Sequence, residues 1–296
     1  MGCHYLEDPF LFIKYLNGSP MSLAITRALA MGREKLVDSD TPELDCELIL
    51  LFCMNASRNI LFTDPNKELT SQQQQQFSDL IARRQLGEPV AYLIGTQGFW
   101  DLHLNVSPHT LIPRGDTESL IDWVLEKELN PKSILDLGTG TGALALSLGH
   151  EFPNARVVGV DVVVDAVLLA QENQKLNKIE NVNFMQSSWF DELNGEKFDL
   201  IISNPPYIDE QDPHLSQGDV RFEPSSALTA KQKGFADLFF IAGNAQAHLN
   251  AQGCLVMEHG WQQARQVRDF LEAHNYKNVG SGKDLGGRER FTFGFC

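Results

Sequence analysis

One stretch constrains this chain more than any other. Residues 134–137 form an apolar strand that runs into Gly138-Thr139-Gly140-Thr141-Gly142 and then into a helix opening at Ala143. Glycine is needed there because a Cβ would block both the tight turn and the close approach of a ligand to the backbone. Nineteen residues after Gly142, Asp161 ends the next apolar strand, where a carboxylate can accept hydrogen bonds from both hydroxyls of a ribose. The pairing of loop and carboxylate points to an adenosine-type ligand. The loop alone leaves its identity open, because Gly138, Gly140 and Ala143 also satisfy the G-x-G-x-x-A spacing of nicotinamide-binding proteins.

Around this stretch, strands and helices alternate. Residues 133–137, 156–160, 182–186, 198–203 and 253–258 are strand-like, and 164–177 and 238–249 are helical. That rhythm predicts βαβ units and a mostly parallel, doubly wound sheet, with 290–295 as a further edge strand. Upstream the pattern is helical. Leu44, Leu48 and Leu51 recur with Cys46 and Cys53 at helical spacing, which predicts one shared apolar face. Thr41-Pro42 reads as a helix start, Thr70 or Ser71 as the next, and Gly87 as the end of that helix. Between the two regions Phe99, Leu102, Leu104 and Val106 alternate with polar residues, as in a β-hairpin. The expected organisation is an α/β protein with an extension over 1–20, an all-helical domain over 21–89, a hairpin linker over 90–113 and a Rossmann-like domain over 114–296.

Composition narrows the function classes. The chain has 296 residues, 43% of them hydrophobic and 21% charged, a balance that builds a core and argues against disorder, collagen and coiled coil. A formal net charge of −15 repels phosphate backbones, so nucleic acid is not an expected partner. No apolar run approaches a membrane span, and Glu7 and Asp8 ahead of residues 9–13 carry the wrong charge for a secretory signal. Five cysteines without a C-x-x-C pair and eight histidines without ligand spacing predict no disulfide framework and no metal. A reducing, cytoplasmic location and a monomer are expected.

The second chemical signal is Asn204-Pro205-Pro206-Tyr207, directly after the strand 198–203. In an open α/β sheet ligands bind at that end of the strands. Two prolines remove two amide donors and stiffen the chain, so the Asn204 side chain and the Pro205 carbonyl are presented as acceptors. Acceptors placed on both hydrogens of a planar NH2 group return electron density to a poorly nucleophilic nitrogen. They strengthen as that nitrogen becomes positive during methyl transfer. Tyr207 is expected to position the planar group, and no general base is needed.

The D-x-G-x-G-x-G form beginning at Asp136 is similar to the first motif of class I S-adenosylmethionine-dependent methyltransferases. Further stretches extend the likeness: residues 87–93, Phe99-Trp100, 111–114 with Asp116-Thr117-Glu118, the N-P-P-Y tetrapeptide, and Arg221-Phe222-Glu223-Pro224. From about residue 21 onward the chain resembles the HemK-type protein glutamine methyltransferases. That resemblance implies a helical substrate-recognition domain, a hairpin and a Rossmann-like class I methyltransferase sheet. It implies S-adenosylmethionine as cofactor, with Gly138, Thr139, Gly140, Thr141 and Gly142 at its methionine part, Asp161 at the ribose, Trp189 near the adenine and Asn204 beside it. Asn204, Pro205, Pro206 and Tyr207 would hold the substrate, the glutamine of the Gly-Gly-Gln loop of class 1 peptide chain release factors. The family more often has an acidic residue where Ser188 stands, which puts the contact to the adenine amino group in question.

Other readings remain open from sequence. A ribosomal-protein glutamine methyltransferase would use the same chemistry, and a nucleic-acid adenine methyltransferase presents the same planar NH2, although the sequence lacks a dense basic tract. A cofactor-binding protein without turnover would tolerate loss of Asn204. A nicotinamide-dependent oxidoreductase would need a hydride-handling site that is not evident. Phe99 and Trp100 either border the site or pack the hairpin, and Glu223 with Arg221 is a candidate brace for the reactive loop.

Overall fold

A computed structural model describes residues 23–296, so the extension over 1–20 lies outside the described residues. The chain divides into two compact units, one ending at Leu93 and the other spanning Ile94–Cys296.

In the first unit, α1 (Ile25–Lys35), α2 (Pro42–Met54) and α3 (Ser71–Gln85) surround Ile25, Ala28, Ile49, Leu50, Phe77 and Ile81. Thr70 starts α3 with a capping box: its side chain accepts from the Gln73 amide while Gln73 accepts from the Thr70 amide. Two expectations change here. Cys46 and Cys53 are buried with Ile49 and Leu50, whereas Leu44 and Leu48 are exposed. The cysteines and leucines therefore lie on different faces, because α2 is apolar on more than one side and its spacing alone cannot select the buried one. A two-residue antiparallel pairing, Leu23–Ala24 with Glu68–Leu69, also interrupts the all-helical pattern, and it is too short to show periodicity. At the start of the expected hairpin, Val90–Ile94 is a further helical turn launched by Pro89.

The second unit opens with the hairpin Thr96–Phe99 and Leu102–Asn105 and continues through α4 (Gly115–Glu126) into the sheet. The strands are β1 (Ser133–Leu137), β2 (Arg156–Asp161), β3 (Val182–Gln186), β4 (Phe198–Ser203), β5 (Leu249–Glu258), β6 (Lys277–Lys283) and β7 (Glu289–Phe295). They lie in the order β6-β7-β5-β4-β1-β2-β3, all parallel except β7, which is antiparallel to both neighbours. One face packs Leu120 and Val124 of α4, Leu146 of α5 (Ala143–Glu151) and Val167 of α6 (Val164–Asn177) against Ile134 and Leu200. The other packs α7 (Ala236–Asn244) and α8 (Ala264–Ala273) against Leu135, Ile201 and Leu255. Both faces are covered, as a parallel sheet requires.

The segment 290–295, expected at the edge, instead lies inside the sheet, with β6 outside it. The sequence of β6, Lys277-Asn278-Val279-Gly280-Ser281-Gly282-Lys283, has little strand propensity. Its glycines are required by packing: a Cβ on Gly282 would fall 1.9 Å from the Phe291 ring, and one on Gly280 would fall 2.6 Å from Phe293. The strand order reverses between β1 and β4, which places the ligand crevice at their carboxyl ends.

Candidate active site

The glycine loop leaves β1 with Gly138, Gly140 and Gly142 at φ values of 71°, 54° and 83°, a region open to glycine and strained for other residues. The Gly138 and Thr139 amides both donate to the Val160 carbonyl at 2.9 Å. The Gly140 amide donates to Asp161 Oδ2 and the Val163 amide to Asp161 Oδ1, each at 2.9 Å. Asp161 is therefore held by backbone donors at the tip of β2, and burial raises its pKa. Behind the loop, buried Asn173 of α6 donates to the Thr141 and Asn105 carbonyls and accepts from the Asn105 amide. That side chain ties hairpin, helix and glycine loop together.

Gly138, Thr139, Gly140, Thr141, Asp161, Trp189, Asn204 and Pro206 line one cavity of about 300 Å3. Pro205 and Tyr207 line a second chamber, and Asn204 belongs to both. Gly142 lines neither. Its Cα faces Phe184, Ala170 and Leu146, so its role is close packing of the helix start. Ser188 is exposed at the cavity wall, and Trp189 sits at φ 49° with its ring beside Gly138. Phe99 lines the cavity while being 1% exposed. Trp100 instead braces the hairpin, its amide on Glu118 and its indole on Glu151.

Several site groups were not singled out from sequence. Asp136 opens the glycine motif, is fully buried, and accepts at Oδ2 from the Thr139 hydroxyl at 2.6 Å and the Ala145 amide at 3.2 Å. Its Oδ1 has no partner, although the residue lines the cavity. Burial pushes this carboxyl up to about 7. An orphaned carboxylate oxygen beside glycine amides suits a ligand carrying an ammonium group. Asp237 also lines the cavity, with burial raising its pKa. Asp136 was legible as part of the motif, whereas Asp237 had no sequence signal.

On the reactive loop, Asn204 Nδ2 donates to Thr117 Oγ1 at 3.2 Å, which leaves Oδ1 as the amide's remaining acceptor. The Tyr207 hydroxyl donates to Glu258 Oε1 at 3.0 Å, and its carbonyl accepts from Gln263 Nε2 at 3.1 Å. Burial raises the Tyr207 pKa beyond its ordinary range, so the phenol stays neutral. The brace expected between Glu223 and Arg221 has a different partner: Glu223 is buried, pairs with Arg114 and accepts from the Ile112 amide at 3.0 Å. It thus joins the segment after the hairpin to the loop beyond Tyr207. Among the described residues, Asp101, His150 and Glu151 form the one group with metal-like spacing, at the surface. Glu151 already accepts from the Trp100 indole.

Sheet order, glycine loop and a carboxylate at the next strand end together define a class I methyltransferase. A solved methyltransferase from Pyrococcus furiosus shares this fold at a TM-score of 0.51 and 18% identity, covering 74% of this chain and 98% of that one. The profile described as Methyltransferase small domain matches residues 116–234, and PrmC N-terminal domain matches 27–95. The release factor glutamine methyltransferase of Aliivibrio fischeri is 48% identical, covering 93% of this chain and 98% of its own. That of Salmonella typhimurium is 50% identical, covering 88% and 94%. The chain belongs to the release factor glutamine methyltransferase family.

Proposed function

We propose that this protein transfers a methyl group from S-adenosylmethionine to the side-chain amide nitrogen of the glutamine in the Gly-Gly-Gln loop of class 1 release factors. The observation that carries this reading is Asn204, held with its amide oxygen free where the two chambers meet. The first chamber fits the cofactor. Asp136 Oδ1 offers an acceptor to the ammonium group, Asp161 to the ribose hydroxyls, and Trp189 a flat wall for the adenine. When bound, the cofactor supplies an electrophilic methyl on a sulfonium.

The remaining work belongs to the chain. The Asn204 Oδ1 and Pro205 carbonyl accept from the glutamine NH2, concentrate electron density on nitrogen and hold it in line with the methyl. No side chain has to remove a proton beforehand, because the nitrogen becomes acidic only as the bond forms. The second chamber, lined by Leu111, Val220, Ala227 and Leu228, receives the chain flanking the glutamine. The helical unit is assigned to recognition of the folded factor. A monomer working in the cytoplasm on a protein, without nucleic acid, agrees with the net charge of −15. No helix among the described residues is long and apolar enough to cross a membrane.

The test is incubation with S-adenosylmethionine and a recombinant class 1 release factor, followed by peptide mass spectrometry. One added methyl on the Gly-Gly-Gln glutamine is expected. Methylation confined to a ribosomal protein or to DNA would keep the chemistry and overturn the substrate.

A further inference from the structure

Behind the reactive loop lies a relay of hydrogen bonds whose direction matters. Asn204 Nδ2 donates to Thr117 Oγ1. A hydroxyl that accepts there must send its own proton elsewhere, and the Glu258 carboxyl at the end of β5 interacts with it. Glu258 is 2% exposed, takes the Tyr207 hydroxyl on Oε1 and has no other partner on Oε2. An ionised carboxylate is acceptor-only, whereas a hydroxyl and a carboxamide can each be turned round. One end of the relay therefore has a fixed polarity and the others do not.

We propose that Glu258 is a positioning residue whose carboxylate orients the Thr117 hydroxyl and thereby selects the Asn204 amide orientation that presents Oδ1, not Nδ2, to the substrate. This rests on the reading of Asn204 as the acceptor for a glutamine amide. Protonated Glu258 becomes a donor, so Thr117 can turn and donate to an Asn204 amide rotated by half a turn. Its NH2 would then face the substrate's NH2, and no hydrogen bond could form.

The groups facing Glu258 are Tyr207 from the reactive loop, Asp116 and Thr117 from α4, and Arg290 from β7. Arg290 is itself held by Asp116 at 2.9 Å and Asp284 at 3.0 Å. Burial, with Asp116 adding, pushes Glu258 up to about 7, while Thr117, Tyr207 and Arg290 oppose that rise. The switch in polarity accordingly falls near neutral pH.

The experiment measures single-turnover methyl transfer by the full chain to a Gly-Gly-Gln peptide between pH 5.5 and 8.5, with cofactor affinity followed alongside. The wild-type rate is expected to fall about tenfold per pH unit below the transition. Glu258→Gln is expected to be roughly 100-fold slower at pH 8 and to lose that acid limb, with its thermal unfolding measured as a check on folding. Thr117→Val should be comparably slow, and Thr117→Ser, which keeps the hydroxyl, should recover most of the lost rate. A Glu258→Gln enzyme with wild-type rate and an unchanged acid limb overturns the proposal. The Asn204 side-chain NH2 resonances give a readout independent of turnover. They should shift with pH in the wild type and not in Glu258→Gln, and resonances insensitive to pH in both overturn the relay. Absence of transfer to any glutamine by the wild type would instead defeat the functional reading, and the resonances would still decide the relay.

Discussion

Asn204 stands where the two chambers meet, and everything that orients it comes from behind: Thr117 on its nitrogen, the buried strand β4 before it and two prolines after it. Its oxygen touches substrate and not the cofactor's charged groups, so rate and cofactor affinity should separate. Asn204→Ala is expected to slow methyl transfer roughly 100- to 1000-fold while calorimetric cofactor affinity changes little. Equal loss of both would reassign the residue to the cofactor. Asp136 should behave in the opposite way. Asp136→Asn retains an acceptor for Thr139 but removes the charge facing the cavity, so cofactor binding should weaken about 10- to 100-fold. Because this carboxyl sits near 7 through burial, wild-type affinity for the cationic ligand should decline as pH falls below 7. Titrations at pH 6 and 8 check this, and equal affinities would remove Asp136 from the ammonium site. At this scale the motif residues were legible in the sequence, because glycine, proline and asparagine carry backbone and hydrogen-bonding constraints of their own. Glu258 and Thr117 were not, since each acts only through a neighbour brought from a distant part of the chain.

At the level of elements, the reactive loop is shaped by what packs over it. Gly234, just ahead of α7, has φ 84°, and a Cβ there would fall 2.1 Å from the Tyr207 carbonyl oxygen. That carbonyl is backbone and already accepts from Gln263, so it cannot yield without moving Pro206 and Tyr207. Gly234→Ala should therefore lower the rate constant for transfer at saturating substrate by at least about tenfold, in line with misplacement of a reacting group, with cofactor affinity retained. A variant with wild-type kinetics would show that the loop is not positioned by this contact. The parallel strands were readable because each is a continuous apolar run covered on both faces. The outer strand β6 was not, because its two glycines answer to the Phe291 and Phe293 rings across the sheet, and its own residues carry no strand signal.

For the molecule as a whole, two carboxyls at the site, Asp136 and Glu258, are pushed up to about 7 by burial. An acid whose pKa is raised by folding binds its proton more tightly in the folded state. Its contribution to stability is complete below the unfolded value and is lost as pH rises to about 7. The ligand-free protein should thus gain stability between pH 8 and pH 6, by roughly 2 kcal/mol if each group contributes about one pKa unit. Relief of repulsion among the 15 excess negative charges acts in the same direction. Thermal unfolding at constant ionic strength should show the melting temperature rising over that interval, and rising less with cofactor bound. A fall would mean that these carboxyls are solvated.

By itself the sequence determined the α/β class, the helical N-terminal region, the glycine loop with Asp161, and the N-P-P-Y tetrapeptide, because local conformation and chemistry are encoded within a few neighbouring residues. Tertiary structure alone decided which face of α2 is buried, where 290–295 lies in the sheet, that Glu223 pairs with Arg114, and that Gly142 packs a helix. It also decided that Thr117, Asn204, Tyr207 and Glu258, from α4, the loop after β4 and the end of β5, share one relay. Those outcomes depend on strand order and on burial, and burial is what gives a lone carboxyl the power to set the direction of its neighbours' hydrogen bonds.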